Sequence, residues 1–173
     1  DGVDNSADII KIARGYFSKP ENTHASIHCE DGLNYLADLK TSTSYDLILV
    51  DAFNDEGMAK SIYSKEFFRL AEKKLTKRGV ICCNLWSGDQ NTFVHVQKAM
   101  QKYSTSRVYI PVRQRENVIA LLFQTELPWK ILCPPKAILK NLSDQYDIDF
   151  KEVSAAARKH NMKIGEQLQL WFS

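Results

Sequence analysis

No apolar stretch in this 173-residue chain approaches the ~20 residues of a membrane-spanning helix, which excludes a helical membrane span. Charge of one sign is also missing: 23 Lys and Arg stand against 21 Asp and Glu, and a net charge of +2 leaves no electrostatic footprint for nucleic acid. The four cysteines, Cys29, Cys82, Cys83 and Cys133, fit no zinc spacing. His24, His28, His95 and His160 show no ligand pairing either, so no metal is expected. Glycine is scarce, and nowhere do two of the seven fall as G-x-G. The chain opens Asp1-Gly2-Val3-Asp4 and shows no signal peptide. Three of the cysteines lie in predicted strands, so buried, reduced thiols and a cytoplasmic location are expected. In that setting the sequon Asn141-Leu142-Ser143 carries no meaning.

What is present suits one globular domain with a real core: 44% of residues are hydrophobic and 25% charged. Apolar periodicity predicts helices over 8–17, 31–39, 64–77, 90–103, 137–145 and 150–160, and strands over 25–30, 45–52 and 80–85. Two more strands, 107–112 and 118–124, have no helix between them and should pair antiparallel. The cluster Lys73, Lys74, Lys77 and Arg78 falls at the end of the 64–77 helix, where it complements the macrodipole in solvent, and Gly79 follows as a C-terminal cap. Residues 129–135 read as a connector. The alternating tail Leu168-Gln169-Leu170-Trp171-Phe172 reads as an added strand or a docking segment. Residues 1–130 form the core of the predicted domain, and 131–173 add helices and a tail to it.

The stretch Tyr45-Asp46-Leu47-Ile48-Leu49-Val50-Asp51 is the most telling. A run this apolar reads as a strand buried on both faces. An open α/β sheet places its ligand site where such strands end, so Asp51 stands where chemistry is expected.

Five segments in order resemble one family. Val3-Asp4-Asn5-Ser6-Ala7 with the helix ending Ala13-Arg14-Gly15-Tyr16-Phe17 is similar to the V-E-x-D-P and A-R-x-x-F of spermidine synthases. Glu30-Asp31-Gly32-Leu33-Asn34-Tyr35-Leu36 is similar to their D-G-x-x-F/Y-L. Tyr45 to Asp51 is similar to Y-D-V-I-I-V-D. Tyr63-Ser64-Lys65-Glu66-Phe67-Phe68 resembles L-x-S-x-E-F-F, and Gly79-Val80-Ile81 resembles G-G-I/V-L. The resemblance implies a Rossmann-like class I methyltransferase fold, α/β, with a mostly parallel sheet and a C-terminal antiparallel pair. It implies S-adenosylmethionine or its decarboxylated form as substrate, an amine as acceptor, and no metal. By the same resemblance Asp4 holds the ribose, Asp31 with Gly32 the adenine, and Asp51 serves as general base. Two of these acids have a plainer reading: Asp31 as a helix cap, Asp51 as a strand-end turn residue.

Departures matter as much. The family's second loop acid is replaced by Asn54, so Asp55 or Glu56 would have to supply that charge from a shifted position. Trp86 stands where the family carries a Gln-containing segment, as a pocket wall or as core packing. The Gly-rich loop and the first strand–helix unit have no counterpart in the chain. Their loss opens a gap at the centre of the sheet, with association through the open edge, a homodimer among the outcomes, as the expected result. Aminopropyl transfer to an amine is the leading reading. Methyl transfer on the same scaffold and a non-catalytic binding role are the alternatives.

Overall fold

The computed structural model describes residues 1–17 and 24–162. β1 (Gly2–Asp4) leads into α1 (Ala7–Tyr16), and β2 (Ile27–Cys29) into α2 (Gly32–Asp38). β3 (Tyr45–Val50) passes through a small hairpin, β4 (Phe53–Asn54) and β5 (Gly57–Met58), into α3 (Lys65–Lys73). β6 (Leu75–Trp86) leads into α4 (Gln90–Lys102). β7 (Ser106–Pro111) and β8 (Asn117–Phe123) follow, then a 3-10 turn at Trp129–Leu132 and the helices α5 (Lys136–Tyr146) and α6 (Phe150–Asn161). The helix starts are written in the sequence. Ser6, Asp31, Ser64, Asp89 and Asp149 each accept a backbone N–H of the first turn, satisfying donors that the helix itself cannot.

β3, β6, β8 and β7 form one sheet in that order, with β3 parallel to β6 and β8 antiparallel to both of its neighbours. The α/β class and the closing antiparallel pair are as the sequence implied. One face of this sheet is sealed by α3 and α4, whose Phe67, Phe68, Ala71, Val96, Ala99 and Met100 share a core with Ile81, Cys83, Leu85, Ala120 and Leu122. Phe68 is wholly buried there, a side chain whose burial contributes ~1.5–3 kcal/mol. On the opposite face α6 packs on β7, through Val108, Leu132, Ala157 and Met162.

Among the described residues β1 and β2 pair only with each other. The gap expected at the sheet's centre is therefore present: β1 on one side and β3 on the other line a single cavity, and neither has a partner strand toward it among the described residues. This corrects the reading of β3 as buried on both faces. Val50 is buried, but Leu47 is 50% and Leu49 70% exposed, because no described element covers their face of the strand. In α1, likewise, Ile10 is buried while Ile9, Ile12 and Tyr16 are exposed.

The expected helix over 64–77 ends at Lys73, and the next strand begins at Leu75, well before the expected residue 80. Gly79 is not a helix cap. It lies inside β6, where a Cβ would come within 2.9 Å of the Tyr45 carbonyl oxygen and of Leu75 Cδ2. Of the basic cluster, Lys73 stands exposed in the last turn of α3 as expected, whereas Lys77 and Arg78 are exposed on β6. Lys74 is only 7% exposed, and its Nζ donates to the carbonyl oxygens of Leu39 and Lys40 at 3.0 and 2.8 Å. It ties the end of α2 to the start of β6. Among the cysteines only Cys83 is buried, where loss of solvent pushes its thiol pKa up; Cys29 is exposed. The expected connector holds the 3-10 turn, and residues 168–172 lie outside the described residues.

Two outcomes follow. Lys74→Met keeps the aliphatic stem and removes both bonds to carbonyls, and should destabilise the domain by ~1.5–3 kcal/mol in urea unfolding. Residues 1–173 produced alone should self-associate in sedimentation velocity, and Leu49→Lys, which sets a charge on the open strand, should shift them toward monomer.

Candidate functional site

The cavity between β1 and β3 has a volume of about 860 Å³, within the range that holds a small molecule. Asp4, Asp31, Gly32, Asp51 and Asn54 all line it. Asp4 ends β1, which pairs parallel with β2, while Asp31 follows β2 and Asp51 follows β3, the strand-end placement that an open α/β sheet gives its ligand site.

Each acid has part of its carboxylate engaged by the chain. Asp4, the last residue of β1, accepts the Ser6 N–H on Oδ1 at 2.7 Å. Asp31 is the N-cap of α2: its Oδ1 accepts Leu33 N–H at 2.9 Å, and its Oδ2 accepts the Ser61 hydroxyl at 2.9 Å. The capping role is thus realised, and the second lone pair of Oδ2 is what remains for a ligand. Gly32 begins α2 against Ile62, whose Cδ1 would stand 3.1 Å from a Cβ at that position. Any side chain there would push into the wall of the cavity.

Asp51 follows β3 directly and is exposed. Its Oδ1 accepts the side-chain amide of Asn84 at 3.0 Å. Asn84 in turn accepts the amide of Asn117 on its own Oδ1 at 3.0 Å. Beneath them Tyr63 is buried and donates its hydroxyl to the Asn84 carbonyl oxygen at 2.7 Å. Burial raises the Tyr63 phenol well above its ordinary value, so it remains a donor at neutral pH.

The loop beyond Asp51 is folded rather than open. β4 and β5 pair antiparallel, Phe53 with Met58 and Asn54 with Gly57, and Gly57 sits at φ 111°. Asn54 spends its Oδ1 on the Glu56 N–H at 3.0 Å. Asp55 is exposed at the turn and does not line the cavity. Glu56 pairs with Lys60 at 2.7 Å, a hydrogen bond that lowers the Glu56 pKa. Trp86 is not part of the cavity lining. It donates its indole N–H to Glu116 Oε2 at 3.0 Å and lies against Gly57 and Gly88, bracing the hairpin from outside.

At the far end of the cavity Tyr45 donates to Asp1 Oδ2 at 2.8 Å and meets the Tyr35 hydroxyl at 3.3 Å. Burial first, then the Tyr35 hydrogen bond, raises the Tyr45 phenol to about 12. Sequence reasoning missed this pair, and it missed Ser61, Tyr63 and Asn117. Ser61 and Tyr63 stand in an irregular turn with no periodic signal, and Asn117 opens a strand that the pattern starts one residue later. Among the described residues no cluster of His, Cys, Asp and Glu has the makings of a metal site, and no helix is long and apolar enough to cross a membrane.

Residues 2–127 match the spermine/spermidine synthase domain family. A polyamine aminopropyltransferase of Neisseria meningitidis is 27% identical over 169 residues, covering 97% of this chain and 64% of the relative. One of Chromobacterium violaceum is 24% identical, covering 96% of this chain and 63% of the relative. The chain thus spans less than two thirds of the length of these curated relatives. A spermidine synthase solved with the transition-state analogue AdoDATO superposes with a TM-score of 0.68 at 16% identity, over 99% of this chain and 60% of that one. Human methyltransferase-like protein 13, solved with SAH, gives 0.64 at 16% identity, over 99% and 76%. Matched along most of its length and folded in the same way, the chain belongs to the spermine/spermidine synthase domain family.

Proposed function

We propose that this chain is the catalytic portion of an aminopropyltransferase, acting on decarboxylated S-adenosylmethionine and an amine. The observation that carries the reading is the convergence of Asp4, Asp31 and Asp51, from the ends of three strands, on one cavity of small-molecule size. Family membership supports it. Asp4, whose Oδ1 accepts the Ser6 N–H, accepts the ribose hydroxyls, and Asp31 accepts the adenine amine.

An amine enters as an ammonium ion and must lose one proton before its lone pair can attack. The Asp51 carboxylate is the base and takes that proton. The nitrogen then bonds the methylene carbon beside the sulfonium, and the carbon–sulfur bond breaks with its electron pair moving to sulfur. Methylthioadenosine leaves neutral, and the product is a secondary ammonium. Asp51 also acts as counter-ion to the cationic centres that meet there, which a partly enclosed cavity strengthens relative to water. Asn54 offers an amide where the family's second acid stands. Glu56 is engaged by Lys60 and Asp55 does not line the cavity, so neither stands in for that acid.

Asp51→Asn keeps shape and removes the base, and in the full-length protein methylthioadenosine release should fall by ~10²–10⁴. Turnover near the wild-type rate with an amine acceptor would overturn the assignment. Asp31→Asn retains a good cap and removes the charge. Its affinity for methylthioadenosine by calorimetry should fall by ~1–2 kcal/mol, the difference between a charge-assisted and a neutral hydrogen bond. Unchanged affinity would remove Asp31 from the ligand.

A further inference from the structure

Three polar side chains from three neighbouring strands stand in a row beside the cavity. Parallel register sets Val50 opposite Cys83, so Asp51 comes level with Asn84. Antiparallel register sets Trp86 opposite Asn117, which makes Asn117 the diagonal neighbour of Asn84. The direction of the chain is forced by chemistry. An ionised carboxylate only accepts, so Asn84 must turn its NH₂ to Asp51 and its carbonyl oxygen away. That oxygen then needs a donor, and the Asn117 amide provides it. Asn disfavours strands, yet two are spent here on adjacent strands. Neither lines the cavity.

We propose that Asn117 and Asn84 are positioning residues that fix the Asp51 carboxylate, holding Oδ1 by hydrogen bond so that Oδ2 faces the amine. The proposal rests on Asp51 being the base. Asn84 is locked twice over, by Asn117 at its side chain and by Tyr63 at its backbone carbonyl. Asp51 itself sits exposed just past the end of β3. The Asn84 amide is its hydrogen-bond partner among the described residues. Neither asparagine meets substrate, so their loss should act on the rate and leave substrate affinity unchanged.

The experiment is a double-mutant cycle in the full-length protein, with methylthioadenosine release as the readout and thermal unfolding as the check on folding. Asn117→Ala should lower kcat ~10-fold, as losing an orienting partner does, with KM within about twofold. Added to Asp51→Asn it should cause no further loss, since it has no base left to orient. Wild-type kcat in Asn117→Ala beside an impaired Asp51→Asn overturns the relay alone. Additive losses also overturn it, because they show a general structural role. An unimpaired Asp51→Asn overturns the base assignment and the relay with it. A second measurement is independent of turnover: the Asn84 side-chain amide resonances should move on Asp51→Asn and on Asn117→Ala. Resonances unmoved by either substitution overturn the hydrogen-bonded chain.

Discussion

Parallel pairing of β3 with β6 is the interaction on which the rest of the site hangs. Its register, Leu47 to Val80 through Val50 to Cys83, brings the end of β3 level with Asn84. A slip of one residue would turn Val50 out of the core and Asp51 into it. The pairing is pinned from below by Lys74, which joins α2 to the start of β6, and by Thr76, whose hydroxyl donates to Asp46 at 2.7 Å. It is pinned from above by Tyr63, which reaches from the turn before α3 to the Asn84 carbonyl oxygen. Between these staples β3 holds its place with a partner strand on one side only among the described residues.

The acids are treated alike. Asp4, Asp31 and Asp51 each have an oxygen held by the protein's own donors: a backbone N–H, a helix N-terminus and an asparagine amide. A carboxylate held in this way has lost its rotamer freedom before any ligand arrives, so less entropy is spent on binding. Capping and ligand contact are therefore compatible uses of Asp31, because one carboxylate offers about four acceptor sites and only part of them is taken.

Much of the fold was legible. Apolar periodicity located α2, α4 and the β7–β8 pair to within a few residues, and Ser64 announced the start of α3. The start of β6 was not, since Leu75-Thr76-Lys77-Arg78 continues a helical pattern but lies in strand, where Leu75 pairs with Tyr45 and the Tyr45 N–H donates to the Lys74 carbonyl oxygen. Nor was the exposure of Leu49. A run of Leu, Ile and Val carries no sign of whether a neighbouring element is there to cover it. In the site, strand-end acids could be read, because position along a strand is a local property. Ser61 and Asn117 could not, because each matters through a contact with a residue about thirty positions away.

The split in the sheet also divides the domain by local stability. β6 is paired along both edges, whereas β1 and β2 share only three residue pairs, and an isolated two-stranded ribbon is marginal in water. Asp4 and Asp31 belong to that weaker pair, and Asp51 to the sturdier sheet. Amide protons near Asp4 should therefore exchange through frequent local opening while those of β6 wait for global unfolding. A nucleoside held by the first two acids would close the weaker half, and the free energy of closing it would be subtracted from the affinity.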